Sequence, residues 1–135
     1  MKVLFVPTSH VHQQWAFVEP FLSAALGEFS SGEITIDQLR ADLGQNRAAL
    51  YRAEVDGKTI GAASVVFQNQ RNSRVAFINA IGGEWIAEAD AHKQFVTLLK
   101  AAGATRIAGA GRDSIVRLWS RFGLKKKYTV FEAEL

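Results

Sequence analysis

The feature of this sequence that most constrains its fold is a strand–helix–strand unit in the second half of the chain. The residues Arg74–Ile81 predict one strand and Thr105–Ala108 predict another. Between them, at about Glu88–Ala102, apolar residues recur at the i, i+3, i+4, i+7 spacing of an amphipathic helix. Because two strands joined by a helix are normally parallel neighbours in one sheet, this unit predicts a parallel strand pair.

A pair of glycines, Gly82-Gly83, stands where the first of these strands is predicted to end. A glycine-bearing loop at the N-terminus of a helix brings several backbone N–H groups together, and such a group of donors can hold a phosphate. The sequence therefore predicts a site for a phosphorylated ligand between this strand and the helix that follows.

The first part of the chain predicts a strand followed by helices. A strand is predicted at Lys2–Val6, and helical spacing of apolar residues follows from Trp15 to Phe29. Pro20 interrupts that pattern, so a kink or two short helices are expected there, since proline lacks the N–H that a helix interior uses. The segment Thr35-Ile36-Asp37-Gln38 matches a capping box, which predicts the start of another short helix.

A hairpin is predicted in the middle of the chain. Two runs of strand-forming residues, Leu50–Val55 and Lys58–Phe67, flank Asp56-Gly57, a dipeptide suited to the positive φ angles of a tight hairpin turn. With Arg74–Ile81 this gives three consecutive antiparallel strands. The alternating segment Tyr128–Leu135 predicts one more strand at the end of the chain.

Composition sets limits on the class of protein. The 135 residues, 48% hydrophobic and 21% charged, are typical of one folded domain spanning residues 1–135. The absence of cysteine excludes disulfides, thiolate metal sites and a cysteine nucleophile. No apolar run approaches the roughly 20 residues that a membrane span needs, and the start does not resemble a signal peptide. We therefore expect a cytoplasmic protein without a membrane partner.

The net charge of +3 is concentrated near the end of the sequence. Such a field favours an anionic partner, but a run of charge is also what a solvated helix face and a basic turn look like. We do not expect nucleic acid as a partner, since no base-stacking aromatic residues interleave with the charges. The basic residues are Arg112, Arg117, Arg121, Lys125, Lys126 and Lys127.

Two local motifs suggest a family. The stretch from Glu54 to Ala63 has a short turn followed by Ile60-Gly61, and the stretch from Asp113 to Leu124 reads D-S-I-V-R-L-W-S-R-F-G-L. With the predicted element order, these resemble the second and third strands and the late helix, often N-x-x-A-x-x-L-Y-x-K-x-G-F, of the GCN5-related N-acetyltransferases (GNAT). The resemblance implies an α+β fold, a largely antiparallel sheet of about six strands flanked by helices, with one splayed parallel pair.

The resemblance also implies a cofactor site. In the family, acetyl-CoA lies between the fourth and fifth strands, and its pyrophosphate binds N–H groups of a Gln/Arg-x-x-Gly-x-Gly/Ala loop. This chain lacks the Gln or Arg, and Glu84 and Glu88 place negative charge near the expected phosphates. The cofactor-binding candidates at the matching positions are Ile81, Gly82, Gly83, Trp85, Ile86, Ala87, Asp113 and Arg117.

The chemistry of acetyl transfer needs a base for the amine. Glu84 is the candidate, although an exposed loop carboxylate with no role fits the sequence as well. The tyrosine that commonly protonates the departing thiolate in this family is replaced by Trp119, which has no ionisable hydroxyl and fits the apolar stripe of its helix. His92 is expected at the surface, and no metal site is expected, because His10 and His12 have no third ligand at suitable spacing.

Two functions remain open from the sequence. The first is an acetyltransferase that moves an acetyl group from acetyl-CoA to an unidentified amine on a small molecule or a protein. The second is a catalytically inactive protein of the same fold that binds a protein partner or has a structural role. The degenerate loop and the missing tyrosine favour the second reading, and they resemble the GNAT-like proteins of some bacteriophages, in which case the location would be the host cytoplasm or the virion.

Overall fold

The structure is a computed structural model that describes residues 1–29, 34–85, 87–110 and 113–135. Five strands and four α-helices follow one another in this part of the chain, with a single 3-10 turn at Thr8–His10. In chain order they are β1 (Lys2–Val6), α1 (Val11–Phe29), α2 (Ile36–Gly44), β2 (Ala49–Val55), β3 (Lys58–Asn69), β4 (Arg74–Gly83), α3 (Ala89–Ala101), β5 (Arg106–Gly109) and α4 (Asp113–Ser120).

The strands form one mixed sheet in the order β1-β2-β3-β4-β5. The first three pairings are antiparallel, and β4 and β5 are parallel. The predicted mixed α+β fold, with its parallel pair, is therefore confirmed. The hairpin is confirmed too, since Asp56 and Gly57 have φ angles of 51° and 78° at its turn.

The helix α1 differs from the prediction. Val11–Phe29 forms one helix of 19 residues with Pro20 in its interior, so of the two alternatives, a kink or two short helices, the second was wrong and the kink stays a prediction. Proline has no N–H to donate to the Ala16 carbonyl one turn earlier. Both Pro20 and Ala16 lie on the exposed side of the helix. Water can therefore satisfy that carbonyl while the opposite side remains packed.

The start of α2 is as the sequence predicts. The Thr35 hydroxyl accepts a hydrogen bond from the Gln38 N–H (3.2 Å), and the Gln38 side chain accepts one from the Thr35 N–H (2.9 Å). This reciprocal pair is a complete capping box. It fixes a helix whose buried residues, Leu39 and Leu43, pack against α1.

The last predicted strand is not in the sheet. The described sheet has five strands rather than about six: Tyr128–Leu135 is not one of them, and its large apolar side chains are exposed. A sequence that alternates between apolar and polar residues forms a strand only where the edge of a sheet and an apolar surface can receive it. The edge of β5 is only four residues long.

Two hydrophobic clusters cover the two faces of the sheet. Successive residues of a strand point to opposite faces, so Leu50 joins the cluster beneath α1 and α2, while Tyr51 joins the cluster beneath α3 and α4. The second cluster also holds Trp85, Phe95 and Trp119. Among the described residues, no helix is both long enough and apolar enough to cross a membrane.

Candidate functional site

The strands β4 and β5 stay together over a short distance only. Val75–Ile78 pairs with Arg106–Gly109, and β4 then continues for five residues with β3 as its only described partner. At the last shared position a Cβ on Gly109 would lie 3.4 Å from the Ile78 carbonyl oxygen. The edge of β4 from Asn79 to Ile81 is therefore available to a ligand that enters beside β5.

Asn79 marks the point where the two strands separate. In the β3–β4 pairing, Val65 is opposite Ile78 and Ser64 is opposite Ala80, so Asn79 is the extra residue of a β-bulge. Its side-chain Oδ1 is buried without a hydrogen-bond partner among the described residues, as is the hydroxyl of fully buried Ser64. Bulges redirect side chains next to active sites, and a buried acceptor without a donor favours a ligand N–H.

Sequence reasoning did not identify Asn79. The sequence did contain a signal, because Asn79 is an amide residue inside the apolar run Val75–Ile81. A strand in the interior of a sheet normally carries a hydrophobic side chain at such a position. The bulge itself could not be predicted, because it depends on how β3 and β4 align.

The glycine pair lies in β4 and not in a loop. The strand continues past Ile81, and Gly82 and Gly83 pair with Ala62 and Gly61. A Cβ on Gly82 would lie 2.4 Å from the Phe21 carbonyl oxygen of α1, and a Cβ on Gly83, where φ is +110°, would lie 2.3 Å from the Ile60 carbonyl oxygen. Close backbone packing requires glycine at both positions, and the predicted loop position of the pair was wrong, while its role in phosphate binding stays a prediction.

Trp85 is a core residue. Its side chain is 2% exposed, its indole N–H donates to the Gly82 carbonyl (2.9 Å), and its ring meets Phe95 edge-on at 5.3 Å. A Cβ on Gly61 would lie 2.1 Å from the indole, so this glycine leaves room for the ring. Of the other candidates around it, Ile81 is partly buried against the same cluster and Ile86 lies outside the described residues.

The free backbone donors lie at the start of α3. The Glu84 N–H donates to the Ile60 carbonyl and the Glu88 N–H to the Trp85 carbonyl, both at 3.1 Å, so these two groups are occupied. Glu88 precedes the helix but its side chain makes no capping hydrogen bond. The first-turn N–H groups of Ala89 and Asp90 have no acceptor within the helix and can receive an anion, whereas Ala91 is fully buried. Exposed Ala87 lies in the turn just before them.

Three carboxylates meet beside the hairpin turn. Asp56, Glu84 and Glu88 line a cavity of about 590 Å³, together with Met1, Val55, Lys58 and Ile60. Glu84, the predicted base, is exposed on this cavity rather than enclosed between β4 and β5. With one lysine against three carboxylates, the cavity favours a cationic group such as an ammonium.

His92 packs between α3 and α4 and is half-buried, where the sequence predicted a surface position. Its ring stacks on Phe122 with 4.3 Å between centroids and meets Trp119 edge-on at 5.5 Å. The His92 Nδ1 and the Trp119 Nε1 are both buried and have no partner among the described residues. Burial lowers the pKa of His92, because the charged imidazolium loses hydration. Trp119 itself is 6% exposed, as its place on an apolar stripe predicts.

The remaining candidates lie on α4 and on α1. Asp113 is the first residue of α4, and Arg117 is exposed in its last turn. Arg121 lies over the Phe122 ring at 5.0 Å, on the solvent side of the same segment. His12 contacts Arg40, with its Nδ1 2.8 Å from a guanidinium nitrogen. The described basic residues thus form a solvated surface around the end of α4.

Comparison with known proteins identifies the fold. No family model matches the sequence, and no curated protein matches it significantly. Among solved structures, a probable acetyltransferase is 16% identical over the full length of both chains, with a TM-score of 0.67. An aminoglycoside acetyltransferase from an uncultured soil metagenomic sample is 12% identical over 99% of this chain and 95% of its own, with a TM-score of 0.70.

A third structure contains the acyl donor. A predicted acetyltransferase from Clostridium acetobutylicum, solved with acetyl-CoA, is 13% identical over 98% of this chain and 95% of its own, with a TM-score of 0.64. At such low identities the likeness concerns the backbone and not the side chains of the site. The parallel pair that separates at a bulge, the helix on each side of it and the full-length superpositions agree: this chain has the fold of the GCN5-related N-acetyltransferases.

Proposed function

We propose that this protein is an N-acetyltransferase that uses acetyl-CoA to acetylate an amine. The observation on which this depends is the separation of β4 from β5 at the Asn79 bulge, where a buried amide oxygen has no donor among the described residues. Pantetheine is an extended chain with amide N–H groups, so it can lie along the free edge of β4 and donate to this oxygen. The acetyl-CoA complex of a protein with the same fold supports this choice of donor.

The pyrophosphate of the donor would lie at the start of α3. The exposed first-turn residues Ala89 and Asp90 offer their N–H groups to it, and the helix dipole favours negative charge there. Ala87 contributes to the same turn. The carboxylates of Glu84, Glu88 and Asp90 repel the phosphates. We therefore propose that acetyl-CoA binds weakly at low ionic strength. Its affinity should increase when one of these charges is removed.

The acceptor would enter from the acidic cavity. An amine arrives at neutral pH as an ammonium, which Asp56, Glu84 and Glu88 attract, and Glu84 then takes its proton. The nitrogen attacks the thioester carbonyl, the C–S bond breaks, and the CoA thiolate leaves. Trp119 cannot protonate that thiolate, so its proton comes from the acceptor nitrogen or from water. A cationic acceptor also fits the aminoglycoside acetyltransferases among the fold's solved members.

The second candidate is a binding module without catalysis. Trp119 in place of an acid, together with acidic side chains near the expected phosphates, supports it. In this alternative the cleft takes CoA without turnover, or the protein contacts a protein partner, as bacteriophage GNAT-like proteins would.

Calorimetric titration of acetyl-CoA, followed by an acetylation assay on a panel of polyamines and aminoglycosides, tests the proposal. Asn79→Val should weaken acetyl-CoA binding about tenfold, the equivalent of one lost hydrogen bond. Asn72→Val, in the exposed turn between β3 and β4, is the matched control and should bind as the unmodified protein does. Binding without any turnover would favour the module, and no binding at all would contradict the proposed donor site.

A further inference from the structure

A second cavity lies between the start of α1 and one side of α2. Its volume is about 530 Å³, which is within the range of pockets that hold small molecules. Thr8, on its wall, follows the end of β1, whereas Met1, on the wall of the acidic cavity, precedes the start of that strand. Because a strand advances by about 3.3 Å per residue, the two ends of β1 are roughly 13 Å apart. The second cavity is therefore separate from the proposed site of acetyl transfer.

This cavity contains a guanidinium without a counter-charge. Arg40 is half-buried on α2, and its guanidinium lies over the buried ring of Trp15, 5.3 Å from the ring centroid. Its hydrogen-bond partner is the His12 Nδ1, at 2.8 Å, and none of the carboxylates in the described part of the chain lies within ion-pairing distance of it. A partly buried positive charge that is held in place without an anion favours a ligand that supplies one.

His12 and Gln45 add further donors to the same wall. Because a guanidinium only donates hydrogen bonds, the His12 Nδ1 accepts, and the proton of the neutral imidazole is on Nε2. The Gln45 Oε1 already accepts a hydrogen bond from Arg47, which leaves the Gln45 amide N–H groups for a ligand. Together with the remaining N–H groups of Arg40, these donors can bind a carboxylate.

A carboxylate of the protein lies on the same cavity. Asp37 is one helical turn before Arg40 on α2, and no basic residue of the described ranges pairs with it. Asp37 would repel a simple anion, whereas a ligand that carries both charges is attracted by both side chains. The rest of the wall includes Val11, Ala41 and Gly44, and a Cβ on Gly44 would meet no atom within 4 Å. This part of the cavity has room for an apolar group.

We propose that the second cavity binds a free α-amino acid with an apolar side chain. The carboxylate of the amino acid binds Arg40 and His12, and its ammonium group binds Asp37. Its side chain lies against Val11 and Ala41. The inference does not depend on acetyl transfer, because none of these residues belongs to the proposed catalytic site.

Titrations with three matched ligands, followed by the amide shifts of the protein in NMR spectra, test the proposal. L-Leucine carries both charges, isocaproate has the same skeleton with the carboxylate alone, and isoamylamine has the ammonium group alone. Leucine should bind about tenfold or more tightly than either analogue, since each analogue loses one charge-assisted contact. Equal affinities of the three ligands, or no binding of leucine at millimolar concentrations, would overturn the proposal.

Charge variants separate the two ends of the ligand. Asp37→Asn should weaken leucine binding about tenfold but strengthen isocaproate binding, because the carboxylate attracts the first ligand and repels the second. Arg40→Gln should weaken the binding of both. Arg71→Gln, at an exposed position in the turn between β3 and β4, is the matched control and should bind leucine as the unmodified protein does. If Arg40→Gln has no more effect than Arg71→Gln, the proposal is wrong.

A variant that fills the cavity tests the location without changing any charge. Gly44→Gln places a side chain in open space at the cavity wall, so the fold should tolerate it while leucine binding falls about tenfold or more. Gly27→Gln is the control, since a Cβ at Gly27 is equally unhindered but this residue of α1 is not on the cavity wall. Unchanged leucine binding in Gly44→Gln would place the ligand elsewhere and contradict the proposal.

Discussion

At the scale of single residues, the three glycines beside Trp85 determine how closely the backbone packs at the end of β4. Gly61 receives the indole ring, Gly82 lies against the α1 backbone, and Gly83 passes the Ile60 carbonyl. The indole hydrogen bond to the Gly82 carbonyl then fixes the ring across the strand end. This small cluster positions Glu84 and the turn that leads to α3, so the proposed binding groups depend on it.

Gly61→Ala should lower the free energy of unfolding by about 1–3 kcal/mol, because the new Cβ would overlap the Trp85 indole and force the ring to move. Urea denaturation measures the change. Gly27→Ala is the control: no atom lies within 4 Å of its Cβ position in α1, and alanine should stabilise that helix by up to about 1 kcal/mol. Equal effects of the two substitutions would contradict the packing described for Trp85.

His92 should make the folded state sensitive to acid. Burial lowers its pKa below the ordinary value of 6.5, so the unfolded chain binds the proton more readily than the folded protein. The contribution of His92 to stability is therefore complete above pH 6.5 and is lost as the pH falls through that value toward the folded pKa. His92→Gln should flatten the pH dependence of the free energy of unfolding in this window. His10→Gln, at an exposed site, should leave the pH dependence of the free energy of unfolding unchanged. If His92→Gln also leaves it unchanged, His92 is not the group responsible.

At the scale of elements, the sequence predicted what local chemistry determines. The Asp56-Gly57 hairpin and the Thr35–Gln38 capping box depend on neighbouring residues, and both are present. The parallel pair followed from two strands joined by a helix. At Pro20 the alternative of two short helices was wrong, because whether a proline ends a helix depends on which side of the packed helix it faces.

The wrong predictions at the site share one cause: the positions concerned depend on how segments that are distant in sequence pack against one another. Gly82 and Gly83 read as a loop, but their pairing with β3 and the approach of α1 make them strand residues. Asn79 and His92 went unrecognised for the same reason, since a bulge and a helix–helix contact are set by tertiary packing. Glu84 was correctly located near the end of β4, although its position on the acidic cavity required the structure.

At the scale of the whole molecule, the sheet separates two hydrophobic clusters that share its strands. Leu22 lies in the cluster of α1 and α2 with no exposed surface, and Phe95 lies in the cluster of α3 and α4. Adjacent residues of β2 and β3 belong to different clusters, so neither cluster can loosen while the other keeps its strands ordered. We therefore expect the two halves to unfold together.

Leu22→Ala should lower the free energy of unfolding by about 2–5 kcal/mol, because it leaves a cavity in a fully buried site. The transitions followed by tryptophan fluorescence and by far-ultraviolet circular dichroism should still coincide, as a two-state change requires. Leu98→Ala, on the half-buried side of α3, should cost less. Separate transitions in the Leu22 variant would show that the two clusters unfold independently.

The order of the strands has a consequence for how the chain reaches this fold. β2, β3 and β4 are consecutive and joined by short turns, whereas β1 pairs with β2 only after α1 and α2 have been made. Contacts between segments close in sequence cost less loop-closure entropy and form earlier. The meander should therefore be the folding nucleus, and β1 should dock late, so substitutions in β1 would speed unfolding more than they slow folding.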